Sequence, residues 1–406
     1  MIGNYDSEPV ERIEPCRIEA IPERVADLIA DLSAESRQLE NRLPKPTATA
    51  LADLVRAMNT FYSNRIEGHN TTLREIERAM AQDFDADQDK RNLQLEARAH
   101  MRVQAEIDRL HHQGALPCPT SAPFIQWLHA EFYRDMPEDL RRIAAAEAAF
   151  LMEPGAFRSA AHDLANFEVA VGRHRPPSSA RVAAFMEHFQ RRYDLAGMGN
   201  SQKIIAMAAA HHRLNFIHPF YDGNGRVSRL MSHAIALSAG IGAHGLWSIS
   251  RGLARGLKVP TEYKAMMEQA DLRRRNDLDG RGNLSQEGLI EFVAWFLAVA
   301  RDQIRFMSSL FDFDHLTEHL KLFVTREGLN PHSMGILEEV VIRGEMPRGD
   351  APRATGLPER TARMVLSALI DTGVLASATP KGPVSLRFPV HVAEVVFPKL
   401  YGEAMG

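Results

Sequence analysis

The stretch HPFYDGNGRVSR at residues 218–229 is the most informative part of the chain, because it joins two segments whose patterns are helical. Upstream, residues 203–217 (KIIAMAAAHHRLNFI) are apolar on most sides, as expected for a helix inside a bundle. Pro219 disfavours helical geometry in the residue before it, so this helix is expected to stop at His218. Downstream, apolar residues recur at the spacing of one helical face: Val227, Leu230, Met231, Ala234 and Ile235. The sequence predicts helix, tight loop, helix, and a mostly α protein.

The turn formed by Gly223, Asn224 and Gly225 stands at the start of the second helix, where backbone N–H groups lack helical partners and the dipole is positive. Glycine allows positive φ and a close approach of a ligand, so this turn is a candidate anion site. Arg226 and Arg229 lie one turn apart, away from the apolar stripe, and add forked phosphate donors. Two cations at this end of a helix are unfavourable without an anion. A polyphosphate therefore suits the site.

Asp222 and His218 add a metal ligand and a base to this turn. A carboxylate is the hard oxygen ligand that Mg²⁺ prefers, and Mg²⁺ accompanies nucleotide phosphates. Histidine is the usual choice for taking a hydroxyl proton near neutral pH. A Gly-Asn-Gly turn between helices is common, and a lone His before Pro is usually structural. The order of base, metal ligand, glycine turn and two arginines favours a nucleotide site over these structural explanations.

Length and composition are those of a folded chain without an obvious targeting signal. The chain has 406 residues, of which 45% are hydrophobic, so two or three domains with full cores are expected. The net charge of -4 gives no overall attraction for nucleic acid or membrane. Only two cysteines are present, and neither a secretion signal nor a long apolar run stands out. We expect a cytoplasmic protein that does not contact a membrane.

Three parts follow from the pattern along the chain. Residues 1–115 contain four helical patterns, the third opened by a capping box of Thr72 and Glu75. Residues 116–310 contain the motif among further helices. Residues 331–403 have a different pattern, which predicts a helix, a turn-rich segment, a second helix and then two strands around a Pro/Gly turn. This is the order of a winged helix-turn-helix domain. Beyond residue 330 the chain carries eight Lys or Arg and eight Asp or Glu, so DNA binding is one alternative beside a protein-contact or structural role.

The stretch HPFYDGNGRVSR at residues 218–229 resembles the signature HxFx[DE]GNGRxxR of the Fic family, with every defining position matched. The family is a helical bundle, and most members transfer AMP from ATP to a protein hydroxyl. The resemblance implies that His218 is the general base, Phe220 a core anchor of the loop and Asp222 the Mg²⁺ ligand. It also implies phosphate contacts for the glycine turn and both arginines: Gly223, Asn224, Gly225, Arg226 and Arg229.

The resemblance extends, less specifically, over residues 45–310. The segments FLMEPGAFRS and HRPPSSARV are similar to the region of the family's β-hairpin flap, which holds the target's modified segment by strand pairing. This flap is expected at Val169–Pro177. The segment SISRGLARGLKVPTEYKAM is similar to the part that closes the adenine side, where Tyr263 is the expected contact.

The stretch SNRIEG presents Ser63 and Glu67 on one helical face, with Gly68 as the expected C-cap. A carboxylate in the last turn meets the negative end of the helix dipole, a penalty of about 0.3–1 kcal/mol. On the residues alone, an exposed Glu that tolerates this penalty is favoured. The resemblance reverses that preference, because [ST]xxxE[GN] is the family's inhibitory motif, here on a helix expected at about residues 48–68. Glu67 is then expected to pair with Arg229 and to spoil the seating of the γ-phosphate.

The expected activity is that of a protein adenylyltransferase, inhibited at rest, with ATP and Mg²⁺. The target protein and its Tyr, Thr or Ser acceptor cannot be read from the sequence; modification of the chain itself is plausible for the family. Fic proteins of this layout often dimerise, but the sequence leaves the oligomeric state undecided. Three alternatives stay open: a nucleotide-sensing winged-helix transcriptional regulator, AMP removal with Glu67 as the base for water, and transfer of phosphocholine or phosphate. Gly225 argues against the phosphate-transferring branch, which has Lys at this position.

Overall fold

A computed structural model describes residues 8–144, 149–159 and 174–401 of the protein, and helices dominate them. The predicted capping box is present, because the Thr72 hydroxyl accepts from the Glu75 N–H while the Glu75 carboxylate accepts from the Thr72 N–H. The mostly α expectation is confirmed. The N-terminal part contains four helices: α1 (Glu23–Glu40), α2 (Lys45–Ile66), α3 (Leu73–Met80) and α4 (Gln88–His112).

The middle part places the glycine turn between two long helices. Its elements are α5 (Ala122–Tyr133), α6 (Glu138–Arg141), β1 (Arg142–Ala144), β2 (Ala149–Leu151), α7 (Val182–Arg192), α8 (Asn200–Ile217), α9 (Asn224–Ser238), α10 (Ile249–Arg255), α11 (Glu262–Ala270) and α12 (Gln286–Leu310). The residue after α8, His218, adopts the left-handed conformation with φ 51°, so the predicted stop is confirmed.

Helix α8 runs through the centre of the core. Its residues 204–210 are buried all around, which the apolar run before the loop predicts. It packs against α7, α9 and α12, and α9 also contacts α4 and α5. Helix α1 lies along α12, and α2 lies against α4 and α10. Of the N-terminal helices, α4 therefore packs directly on the helix that follows the glycine turn.

The C-terminal part contains the predicted helices and the two predicted strands, together with a third strand and short helices that the sequence analysis did not assign. An antiparallel sheet joins its three strands, with the last strand along the chain between the other two. The assignment of this part to the winged helix-turn-helix class stays a prediction. The elements are α13 (Phe313–Arg326), α14 (Ser333–Arg343), β3 (Glu345–Met346), α15 (Ala351–Thr355), α16 (Glu359–Asp371), β4 (Leu375–Ala376), β5 (Val384–Leu386), α17 (Val390–Val396) and α18 (Pro398–Tyr401).

Helix α13 occupies a stretch to which the sequence analysis assigned no element. It packs against α14 and α17, so its contacts lie mainly with the C-terminal part. This part in turn contacts the N-terminal helices: Arg74 on α3 forms an ion pair of 3.0 Å with Glu394 on α17. The Val390 N–H donates to the Glu77 carboxylate at 3.0 Å. The region that holds α2 and α3 thus lies between the core and the C-terminal part.

Of the flap expected at Val169–Pro177, residues 169–173 lie outside the described residues. The described chain contains an earlier antiparallel pair, in which Arg142 on β1 stands opposite Leu151 on β2. The Phe150 ring meets the Tyr221 ring edge-on, with centroids 4.7 Å apart. This short hairpin therefore reaches the loop that precedes α9.

Candidate active site

The loop between α8 and α9 is anchored by its own side chains. Phe220 is fully buried and stacks on His129, with ring centroids 3.9 Å apart and planes 8° from parallel. The Asn224 side chain grips the same residue: its Oδ1 accepts from the Phe220 N–H at 3.0 Å, and its Nδ2 donates to the Phe220 carbonyl at 2.9 Å. Phe220 lies where the core-anchor prediction puts it. The Asn224 side chain closes the loop, which leaves only its backbone N–H for an anion.

Arg158, on the segment that follows β2, holds the loop from the other side. Its Nε donates to the His218 carbonyl at 2.7 Å, and its Nη2 donates to the carbonyls of Ile217 at 3.2 Å and Pro177 at 3.0 Å. Its Nη1 donates to the Ser179 hydroxyl at 3.0 Å. Because the side chain is 3% exposed, these acceptors depend on it rather than on water.

His218 is half-buried, and this burial is the main reason why its pKa falls to about 4. The nearby charges of Arg158 and His174 lower the pKa further. One ring nitrogen donates to the Asn215 carbonyl, which fixes the ring and leaves the other nitrogen as a proton acceptor. A histidine in this state is neutral at physiological pH and is suited to act as a general base.

Asp222 precedes the glycine turn and accepts a hydrogen bond of 2.6 Å from the Tyr133 hydroxyl. Partial burial raises the pKa of Asp222, but the bonds from Tyr133 and the Gly223 N–H, with the charge of Arg226, outweigh it. The net pKa is lowered, so the carboxylate is ionised. An ionised carboxylate at the end of a loop fits Mg²⁺, which binds one or two carboxylates beside substrate phosphates.

The two glycines of the turn are required for different reasons. Gly223 has φ 78°, and a Cβ there would lie 2.9 Å from the Tyr133 ring. A Cβ on Gly225 would lie 2.3 Å from Glu67 Oε1 and 3.0 Å from Arg229 Nη1. The backbone of the turn therefore faces the Glu67 carboxylate directly.

Glu67 reaches this turn because of how α2 ends. The Gly68 N–H donates to the Arg65 carbonyl and the His69 N–H to the Asn64 carbonyl, which is the Schellman arrangement with Gly68 at φ 84°. The helix ends at Ile66, so Glu67 occupies the C-cap and Gly68 follows it. The expected C-cap thus shifts by one residue.

Ser63 and Glu67 both contact Arg229. The Arg229 Nε donates to the Ser63 hydroxyl at 3.0 Å, and its Nη2 forms an ion pair of 2.6 Å with Glu67 Oε1. The Arg229 side chain is 1% exposed and that of Glu67 is 31% exposed. Burial raises the pKa of Glu67, but Arg229 and Arg226 outweigh it, so the pKa is lowered and the carboxylate is ionised.

Arg226 lies behind the turn and points to α4. Its Nη2 donates to Glu96 Oε2 at 2.8 Å, and its guanidinium sits 5.2 Å from the centroid of the Phe132 ring. Its side chain is 4% exposed. The predicted phosphate contact of Arg226 therefore stays a prediction, and in this structure the two signature arginines have different surroundings.

A cavity of about 950 Å³ opens beside the turn. Its walls bring together four of the residues that the sequence singled out: Glu67, His218, Gly225 and Arg229. Tyr263 on α11 lines the same cavity, and its hydroxyl lies 2.8 Å from His211 Nε2. The volume is within the range of small-ligand sites, which is about 300–1,000 Å³.

Three residues of the site escaped the sequence analysis: Tyr133, Arg158 and Glu96. Only Glu96 left a usable signal, because it shares the core-facing spacing of α4 with His100 and Val103. A carboxylate at a core position needs a cation, and that cation is Arg226. The partners of the other two are 19 or more residues away along the chain, so no local pattern reveals them.

Comparison with known proteins agrees with this geometry. Residues 119–236 match the model of the Fic/DOC family. The chain is similar to the "Protein adenylyltransferase Fic" of Drosophila erecta and of Drosophila ananassae, at 38% identity over 73 residues in each case. These residues are 18% of this chain and 15% of each relative, so the match spans a small part of their length.

The fold resembles the crystal structure of a Fic family protein from Desulfovibrio desulfuricans G20, with a TM-score of 0.52 and 16% sequence identity. That match covers 92% of this chain and 98% of the other. Among the described residues, no helix is long and apolar enough to cross a membrane. Residues 119–236 form a Fic domain.

Proposed function

We propose that this Fic-domain protein is a protein adenylyltransferase that transfers AMP from ATP to a Tyr, Thr or Ser hydroxyl of a protein. The observation that carries the proposal is the cavity in which the neutral His218 lies beside Gly225 and Arg229. A base, an anion-binding helix N-terminus and a guanidinium along one cavity are the groups that an in-line phosphoryl displacement needs. The Drosophila relatives are named for this activity.

In the proposed reaction the acceptor hydroxyl oxygen attacks the α-phosphorus of ATP. The bond between that phosphorus and the oxygen bridging to the β-phosphorus breaks, and pyrophosphate leaves. The hydroxyl proton passes to the ring nitrogen of His218 that does not donate to Asn215. Positioning and charge stabilisation then supply most of the rate, since the protein forms no covalent bond.

The phosphates would lie at the N-terminus of α9, with Arg229 on the outer ones. Asp222 would hold Mg²⁺, whose charge neutralises phosphate oxygens. Tyr263 would contact the adenine, since it lines the same cavity. Arg158 and Asn224 act through the loop, because they fix the backbone on either side of His218 and Phe220.

The inhibited resting state is the second part of the proposal. Glu67 is ionised, pairs with Arg229 and faces Gly225, so its carboxylate stands where an outer phosphate would meet that arginine. A negative group at this place repels the phosphate and takes its partner. We expect the ATP to bind poorly or in an unproductive pose until Glu67 moves.

The test compares the wild type with Glu67→Gly after incubation with ATP and Mg²⁺, by intact-mass analysis and labelled AMP incorporation, with the chain itself as the first acceptor. Incorporation should rise by about tenfold or more, the change that about 1.4 kcal/mol supplies. Adding His218→Ala to Glu67→Gly should abolish transfer while ATP binding persists. Equal and low AMP incorporation in the wild type and in Glu67→Gly would contradict the proposed inhibition by Glu67.

A matched control exists in α13. Glu327 also caps a helix and is followed by a glycine at positive φ, Gly328. Glu327→Gly repeats the chemical change at a helix end that the cavity does not include. Its AMP incorporation should equal that of the wild type.

Two other functions have distinct outcomes in the same assay. AMP removal would appear as loss of mass from a modified chain in wild type but not in Glu67→Gly, because Glu67 would be the base for water. A nucleotide-sensing regulator would show salt-dependent binding of duplex DNA and no AMP transfer in either variant. The proposed adenylyltransferase predicts transfer in Glu67→Gly.

A further inference from the structure

Glu96 on α4 joins the glycine-turn side of the site to the end of the inhibitory helix. Its Oε2 accepts from Arg226 Nη2 at 2.8 Å and lies 2.8 Å from His69 Nδ1. His69 follows directly after the Glu67 and Gly68 that end α2. The Glu96 side chain is 10% exposed, so both contacts form largely out of water.

The position of Arg226 depends on this carboxylate. The guanidinium is buried, and the described contacts that hold it are the Glu96 carboxylate and the face of the Phe132 ring. A buried cation whose carboxylate is removed moves towards another anion, since an unpaired buried charge is strongly unfavourable. The anions within its electrostatic reach are Asp222 and Glu67, because the charge of Arg226 lowers the pKa of both.

Movement of Arg226 to Asp222 would change what Asp222 can do. A guanidinium paired with that carboxylate competes with a cation for its oxygens. In the observed place, Arg226 bonds to Glu96, while the direct contact to Asp222 comes from the neutral hydroxyl of Tyr133. The carboxylate is thus still available to a metal ion.

We propose that Glu96 is a positioning residue: it holds Arg226 behind the turn, so that Asp222 stays free of a guanidinium when Mg²⁺ and ATP bind. This inference rests on the proposed adenylyltransferase function for its activity readout only. The binding of ATP with and without Mg²⁺ reports on it independently of transfer.

The experiment uses the full chain with Glu67→Gly as the parent, since this removes the inhibitory carboxylate. Glu96→Gln keeps the shape and a hydrogen-bonding oxygen but loses the charge. Glu106→Gln is the control, because Glu106 lies on the same helix and pairs with Arg109 at the surface at 2.5 Å. Each variant is measured for ATP affinity by calorimetry in Mg²⁺ and in EDTA, for kcat and KM of AMP transfer, and for Tm.

In Glu96→Gln, the gain in ATP affinity that Mg²⁺ provides should fall by about tenfold, and kcat should fall by a similar factor, as for other residues that orient a metal ligand. ATP affinity in EDTA should stay within about twofold of the parent, because Asp222 is not used there. The control should match the parent in all measurements. A Mg²⁺ response in Glu96→Gln within about twofold of the parent overturns the proposal.

Glu96→Asp separates charge from packing and covers the case in which Glu96→Gln fails to melt cooperatively. It keeps the carboxylate, so it should retain most of the Mg²⁺ response; the tenfold loss in this variant would contradict the proposal. If the parent transfers no AMP, the adenylyltransferase function fails, while the calorimetric comparison still decides the role of Glu96.

Discussion

Arg158→Lys is expected to loosen the loop that carries His218. Among the described residues, the guanidinium donates to four acceptors, and three of them are the backbone carbonyls of Pro177, Ile217 and His218. A single ammonium lacks the planar fork and replaces about half of these contacts. Hydrogen bonds to a charged group contribute about 1.5–3 kcal/mol each, so losing two lowers the free energy of unfolding by about 3 kcal/mol or more.

The assay is the melting temperature of the full chain, with AMP transfer in the Glu67→Gly background as a second measurement. For a domain of 150–250 residues, 1 kcal/mol corresponds to about 2–4 °C, so Tm should fall by at least about 6 °C. Transfer should fall by about tenfold or more, because a small displacement of the His218 backbone misaligns the base.

The control is Arg109→Lys, where the arginine pairs with Glu106 on an exposed helical surface. Surface changes of this kind stay within about 0.5 kcal/mol. Arg158 does not hold the loop if Arg158→Lys melts within about 2 °C of its parent and transfers AMP at the parental rate. Such a result would mean that the four contacts contribute little and that Phe220 and Asn224 alone hold the loop.

Two further changes test the electrostatics around the turn. Tyr133→Phe removes a hydrogen bond that lowers the pKa of Asp222, so the acid limb of Mg²⁺-dependent ATP binding should move to higher pH, measured by calorimetry across pH. His69→Asn tests the pair with Glu96, whose hydrogen bond is the main reason why the pKa of His69 is raised. A raised histidine pKa gives stability that is full below about pH 6.5 and lost as the pH rises through the folded pKa. His69→Asn should therefore lower Tm at pH 6 and leave Tm at pH 9 unchanged; an equal drop at both would contradict the charged pair.

Local chemistry made the loop and its flanking helices predictable. The apolar run before Pro219 and the stripe after Gly225 fixed both helices, and SNRIEG contained the signals that end α2. Helix α13 was also readable but was missed: Leu316, Leu320, Phe323 and Val324 are buried at helical spacing. The helical pattern was present, but it lies in the short stretch between residues 310 and 331, which the sequence analysis assigned to neither part.

The supporting residues were not predictable for a physical reason. Tyr133 reaches Asp222 across 89 positions and Arg226 reaches Glu96 across 130, so their proximity depends on how α4, α5 and α9 pack. Periodicity reports which face of a helix is buried, and it does not report which residue lies opposite. The difference between Arg226 and Arg229 has the same origin. The two arginines are three positions apart on α9, so that one points to α4 and the other to the end of α2.

The way α2 is held indicates how much of it must move to free Arg229. Its middle is fixed by buried polar contacts: Asn59 Nδ2 to Gln104 Oε1 at 2.5 Å and Thr60 Oγ1 to His100 Nδ1 at 3.0 Å. Lifting the whole helix would expose these groups together with its apolar face, and each buried hydrogen bond left unmade costs about 1–3 kcal/mol. Rotating the Glu67 side chain breaks one ion pair and leaves those contacts intact. Because that side chain is 31% exposed, water can replace Arg229 as its partner. The release of Arg229 that the proposed inhibition calls for therefore needs only rotation of the Glu67 side chain at the end of α2, and not movement of the whole helix.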